Sequence, residues 1–129
     1  MTIKVNPGDW LNSITSAERK ECAVARGFDA YFPDAIAMVA QHSVRMNEKH
    51  NPGEPVHWSR GNSADHDDCI ARHSLSVAVD ADSKDADGAY HIVCRAWRAM
   101  AALQEWVEKK RAEHLASIQP PNPPPKFEE

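Results

Sequence analysis

Two stretches that cannot be helical cut the middle of this chain into three segments with helical periodicity, and that alternation sets its architecture. From Phe32–Pro33 onward, Ile36, Val39, Ala40, Ser43, Val44 and Asn47 recur at i, i+3, i+4, i+7, i+8 and i+11. They make one helical face, with Asp34, Gln41, Arg45 and Glu48 outside it. Pro33 suits the first turn, where a missing N–H costs nothing. Asn51–Pro52–Gly53 and Pro55 must stop this helix near His50.

A loop of about a dozen residues follows, carrying His57, Trp58, Arg60 and Gly61. Ser63 then reads as an N-cap, with Asp65, Asp67 and Asp68 in a first turn where the helix dipole favours negative charge. The second helix is expected to run to about Val79. Asp80–Gly88 holds Asp80, Asp82, Asp85 and Asp87 and reads as a solvated loop. It matches a calcium loop poorly, because the glycine and final glutamate of an EF-hand are misplaced. The third helix is expected over 89–112, with Ile92, Ala96, Ala99, Leu103 and Trp106 as its apolar stripe. Upstream, Pro7–Gly8–Asp9 reads as a turn and 16–24 as a short helix. Trp10, Leu11 and Ile14 are candidates to cover part of the core. The fold class is all-α: a bundle of roughly three to five helices with one long polar loop. Residues 1–118 form a single helical domain, and the five prolines after Gln119 make 119–129 a disordered tail.

Composition narrows the function classes. The 129 residues suit one core, and 42% hydrophobic with 26% charged residues is ordinary for a globular protein. A net charge of −4 argues against binding a nucleic-acid polymer, which needs a basic surface. It leaves room for a single nucleotide, whose phosphates need only a few arginines or lysines. Cys22, Cys69 and Cys94 form no C-x-x-C pair and read as reduced thiols. With no long apolar stretch and no basic–apolar leader, a cytoplasmic location is expected and a membrane partner is not.

Chemistry concentrates in Ser63-x-Asp65-His66-x-Asp68-x-x-x-Arg72-His73. His66, Ile70, His73 and Val77 share one helical stripe, and Asp65, Asp68 and Arg72 share the neighbouring one. On the third helix His91, Arg95 and Arg98 align. Antiparallel packing of the two helices sets Asp65 and Asp68 near Arg98, and Arg72 nearer the middle. Two carboxylates a turn apart can share a divalent metal. Arginine forks grip phosphate, Trp58 can stack on a base, and His66, His73 or His91 can position or deprotonate water. Plainer roles stand beside these. The aspartates can be dipole partners, Asp68 and Arg72 a surface ion pair, His73 a core histidine and Trp58 a core plug.

At these residues the chain resembles a phage-encoded family of small dATP/dGTP diphosphohydrolases, similar to the MazG-type all-α nucleotide pyrophosphohydrolases. The matching stretches begin with Tyr31-Phe-Pro-Asp-Ala-Ile36 and Asn47-x-x-His-Asn-Pro-Gly-x-Pro-x-His-Trp-x-Arg-Gly61. Then come the Ser63–His73 motif, Asp85-x-Asp-Gly-x-x-His91 and Ala96-Trp-Arg-Ala-x-Ala-x-Leu-Gln104, so that roughly residues 19–108 are covered. The resemblance implies hydrolysis of a purine deoxynucleoside triphosphate to monophosphate and pyrophosphate, with Mg2+ or Mn2+ bridging the phosphates. It implies a phage protein working in the cytoplasm of a bacterial host.

In the MazG-type pattern one helix carries E-x-x-E and the next E-x-x-D. Asp65-x-x-Asp68 stands where the second pair would be. The first is missing, since only Asp34 and, just beyond, Glu48 are present. That departure bears on catalysis more than on nucleotide binding. The candidate catalytic residues are therefore Asp65, His66, Asp68 and His73, with Asp65, Asp68 and Glu48 as metal ligands. Asn47, His50, His57, Trp58, Arg60, Ser63, Arg72, His91 and Arg98 are the candidate nucleotide-binding set. Three functions compete: a diphosphohydrolase that adjusts a dNTP pool, a non-catalytic protein that sequesters a signalling nucleotide, and a structural helical module. A homodimer or homotetramer is expected, because short helical hairpins bury their remaining apolar stripe against another copy.

Overall fold

In the computed structural model, residues 3–61 and 63–119 are described, and among them the chain is all-α. The helices are α1 (Asp9–Ser13), α2 (Ser16–Glu21), α3 (Pro33–His50), α4 (His66–Val79) and α5 (His91–Ile118). A single π-helical turn, Ala25–Asp29, links α2 to α3. Of the tail expected at 119–129, Gln119 is the C-cap of α5 and residues 120–129 lie outside the described residues.

Most boundaries have a local cause. Pro33 opens α3, and Asn51 closes it with Gly53 at φ 81°, a conformation glycine adopts without strain. The short helix expected over 16–24 stops at Glu21. Thr15 and Glu18 cap its start reciprocally, the Thr15 hydroxyl accepting from the Glu18 amide and the Glu18 carboxylate from the Thr15 amide. Ser63 is not the N-cap of α4. Asp65 holds that position, because the Ser63 hydroxyl is engaged by Arg98 and Asp65 instead. The third helix runs six residues past its expected end at 112, since no helix breaker occurs before Pro120. Its start is delayed to His91 by the 80–90 loop, in which Gly88 (φ 81°) turns the chain and Lys84 bridges to Tyr90.

The α4–α5 pair is antiparallel, with His66 meeting Arg98 and Glu105, and His73 meeting His91. The stripe of His66, Ile70, His73 and Val77 faces α5, while Asp65, Asp68 and Arg72 face solvent. Helix α3 crosses α5 where the Trp97 indole N–H donates to Ser43 Oγ at 2.7 Å. Helix α1 also rests on α5.

Little of this is buried: among the described residues the sheltered positions are Asn47, His66, Cys69, Cys94 and Ala101. The apolar stripe expected to form the α5 core points the other way. Ile92, Leu103 and Trp106 are 43%, 53% and 56% exposed, and Ala96 and Ala99 lie open as well. The inward line is Cys94, Trp97, Arg98, Ala101 and Gln104, so α5 turns its mixed face to the other helices and its apolar face out. Trp10 and Leu11 also stay largely exposed. Replacing Ala101 by Leu is expected to overpack the α3–α5 contact and cost about 1–3 kcal/mol in urea unfolding. Ala99→Leu on the open face should change stability by less than about 0.5 kcal/mol.

Candidate functional site

A cleft of about 860 Å³ lies between α3, α4, α5 and the 51–65 loop. Its lining includes His42, Ser43, Asn47, His50, Asn51, His57, Trp58, Ser59, Ser63, His66, His73, Asp85, Trp97, Arg98 and Gln104. Five of the seven histidines, His42, His50, His57, His66 and His73, reach it, a density that core packing does not require. Of the candidate residues it unites Asn47, His50, His57, Trp58, Ser63, His66, His73 and Arg98. Arg60 and His91 stand just behind its walls.

Arg98 organises one end. A guanidinium only donates, so its contact with His66 Nδ1 at 3.1 Å makes that nitrogen an acceptor. The proton of His66 therefore sits on Nε2, 3.3 Å from the Glu105 carboxylate. The same guanidinium donates to Ser63 Oγ, and the Ser63 hydroxyl donates to Asp65 at 2.8 Å. Asp65 is thus tied to the Arg98 end of the cleft through Ser63. Its carboxyl is held down to about 2, first by Ser63 and then by Arg72.

The opposite wall is aromatic. Trp58 and Trp97 meet edge to face at 6.0 Å, and His42 packs against Trp97 at 6.4 Å. The Arg60 guanidinium lies 3.9 Å from the centre of the Trp58 ring and pairs with Glu108, which also accepts from Gln104. Burial pushes the Glu108 carboxyl up, but the Arg60 and Gln104 bonds together leave it below its usual range. Trp58 is therefore a fixed wall with one face already covered. A base stacking on that face must displace Arg60.

Asp85 forms the floor. Its Oδ1 accepts from the amides of Asp87 (2.9 Å) and Ala89 (3.0 Å), and its Oδ2 faces the Cys94 thiol at 3.7 Å. Burial and the nearby Asp85 push that thiol up to about 11, so it is a protonated donor. Beside it, His73 Nδ1 and His91 Nδ1 approach to 2.8 Å. Burial, then His91, lowers the pKa of His73, and burial lowers that of His42. Lys49, from the end of α3, pairs with Asp87 and clips the 80–90 loop to the cleft.

The remaining candidates lie elsewhere. Asp65 and Asp68 line a shallower depression with Ala64, Asp67, Ala102, Glu105, Trp106 and Lys109. Arg72 is exposed and bound to Asp65 and Cys69, and Glu48 is exposed on α3. Asp65 and Asp68 therefore do not face Arg98 across the cleft, nor does Arg72 reach its middle, as the helical spacing predicts. Asp65 is the N-cap and is turned outward by Ser63 and Arg72. Among the described residues, no group of three or more His, Cys, Asp or Glu is arranged to hold a metal ion.

Sequence reasoning passed over His42, Ser43, Asp85, Trp97, Gln104 and Glu108. Asp85, Trp97 and Gln104 do fall in the stretches that carry the family resemblance, which was the available signal. No protein family, curated protein or solved structure matches this chain.

Two outcomes follow from this geometry. Ser43→Ala leaves the Trp97 indole N–H without its acceptor and should cost about 1–3 kcal/mol, read by thermal unfolding with tryptophan fluorescence. His42 and His73 have folded pKa values below their unfolded ones, so their contribution to stability is complete above about pH 6.5. It is lost as pH falls through the folded values. Urea midpoints should drop between pH 7.5 and 5.5, and a His42→Phe/His73→Phe double variant should flatten that slope.

Proposed function

We propose that this chain binds a purine nucleoside triphosphate in the α3–α4–α5 cleft and hydrolyses it to the monophosphate and pyrophosphate. The observation that carries the binding step is the pairing of an aromatic wall, Trp58 and Trp97, with the Arg98–Ser63–His66 group in one cleft. Its volume lies within the range of about 300–1,000 Å³ usual for small-ligand sites. Arg98 offers a charge-assisted fork for a phosphate, while Asn47, Asn51 and Gln104, whose amide nitrogens bond Glu54, Ser59 and Glu108, add polar groups to the lining. Cleavage is supported by the resemblance to the dATP/dGTP diphosphohydrolases.

The divalent metal that resemblance implies is not matched by the residues of one copy. Asp65 is committed to Ser63 and Arg72, Asp87 to Lys49, and Asp85 Oδ1 to two amides. The outward placement of Asp65 and Asp68 favours a second reading, in which the cleft sequesters a nucleotide intact.

Assembly as a homodimer or homotetramer belongs to the same proposal, supported by the open Ile92–Leu103–Trp106 face of α5. A cytoplasmic setting fits as well, and no described helix is long and apolar enough to cross a membrane.

Purified protein incubated with dNTPs and NTPs, with Mg2+, Mn2+ or EDTA, decides between the two readings by chromatography of the products. Release of monophosphate and pyrophosphate from purine deoxynucleotides is expected, and the EDTA arm reads whether a metal takes part. Intact nucleotides that nonetheless bind, measured by calorimetry, would establish sequestration instead. In either case Arg98→Ala should weaken nucleotide binding roughly 10- to 100-fold, the loss of a charged hydrogen bond.

A further inference from the structure

We infer that His73 is the general base of the cleft and that His91 is the residue that positions it. The inference rests on the hydrolytic reading above, and it is carried by the 2.8 Å contact between the two Nδ1 atoms. The rings stand 5.1 Å apart at 45°. A hydrogen bond between two ring nitrogens requires a proton on one and a lone pair on the other. The contact therefore fixes the tautomer of both imidazoles at once.

The other cleft histidines are less suited to the task. His66 has Nδ1 engaged by Arg98 and Nε2 by Glu105, so taking up a proton would cost it the Arg98 bond. His57 Nδ1 lies 2.9 Å from the Pro55 carbonyl and so carries the hydrogen, and its ring sits on the exposed loop. His50 is exposed at the end of α3, and His42 packs its ring against Trp97. Only His73, among the described residues, both lines the cleft and is held by a second imidazole outside it.

The direction of the shared proton follows from where His91 sits. It is the first residue of α5, where the helix macrodipole disfavours added positive charge. In this arrangement His91 accepts and His73 donates through Nδ1–H. The lone pair of His73 then lies on Nε2. The groups bearing on this ring are Asp85 from the loop, His91 and Arg98 from α5, and Arg72 from α4. Burial keeps the ring neutral before reaction, and Asp85 offsets the charge once it forms.

In the step itself, a water gives a proton to His73 Nε2 as its oxygen bonds to one of the phosphorus atoms flanking the α–β bridge. The bridging P–O bond breaks, and pyrophosphate and monophosphate separate, one of them keeping the electron pair. His73 later returns the proton to solvent. His91 keeps its acceptor role throughout, as the orienting partner of a base does in a nucleophile–base–orienter array.

The test combines a rate profile with a direct readout of the tautomer. Pyrophosphate release against pH is measured for the wild type, His91→Leu and His91→Asn. Long-range 1H–15N correlation spectra of the labelled proteins report the histidine tautomers. The expected spectrum shows His73 with its proton on Nδ1 at pH 7.5. His91→Leu should lower kcat about 10- to 100-fold and leave KM within about twofold. His91→Asn, whose amide oxygen can accept in place of the ring nitrogen, should recover most of the rate.

A wild-type spectrum with the His73 proton on Nε2 would overturn the inference. So would hydrolysis with an unchanged His91→Leu profile, and either result would leave the hydrolase reading intact. Failure of the wild type to release pyrophosphate from any nucleotide would bring down that reading and the role of His73 together.

Discussion

The Arg98 guanidinium is the constraint on which the rest of the site depends. It can only donate, and it is placed where a histidine and a serine must both accept from it. Those two bonds fix the His66 tautomer, tie residue 63 of the connecting loop to α5 and displace Ser63 from the cap of α4. Asp65 then becomes the cap, and its carboxylate turns toward Arg72 on the outer surface. A single inward cation on α5 therefore decides which polar groups face the cleft and which face solvent.

A second constraint is the shortage of apolar interior. The sheltered positions include Asn47 and His66 beside two cysteines and one alanine. The space that aliphatic side chains would fill in an ordinary bundle is taken up by histidines, Asn47, Trp97 and Arg98. Such a polar interior is tolerable only where its groups find partners. The Trp97–Ser43, Asn47–Glu54 and Asn51–Ser59 bonds provide them. The cost of this arrangement appears on the outside. The most apolar stripe of the longest helix is left open, and a monomer of this size gains little from exposing Leu103, Trp106 and Met100.

The sequence was most legible where periodicity and breakers agree. Pro33 at one end and Asn51–Pro52–Gly53 at the other bound α3 to the residue, and the His66–Ile70–His73–Val77 stripe does face α5. Legibility failed for the side of α5. A stripe of Ile92, Leu103 and Trp106 reads as core in any single-chain argument, because hydrophobicity does not say whether the covering surface belongs to the same chain. It failed again for Ser63 and Asp65. Both are good N-caps, and only a tertiary contact from residue 98 decides between them. Asp85 was dismissed with its neighbours as solvated charge. Its two amide bonds and the Cys94 thiol, all set by the turn at Gly88, distinguish it from Asp80 and Asp82.

These placements change what the carboxylates can contribute to chemistry. A pair spaced one helical turn apart suggests a shared cation, but spacing along a helix fixes only which side chains are neighbours. It does not fix what they face. Asp65 and Asp68 face a shallow depression beside Glu105 and Lys109, whereas the cleft presents the half-buried Asp85 and the exposed Asp87 among imidazoles. The titratable lining of the cleft is mostly histidine, a side chain able to donate, accept and carry a proton. In the proposed nucleotide-binding reading, Arg98 is the fork that meets phosphate there. The chemistry of this site is therefore centred on imidazole and guanidinium groups, and carboxylates play the supporting role of holding them in place.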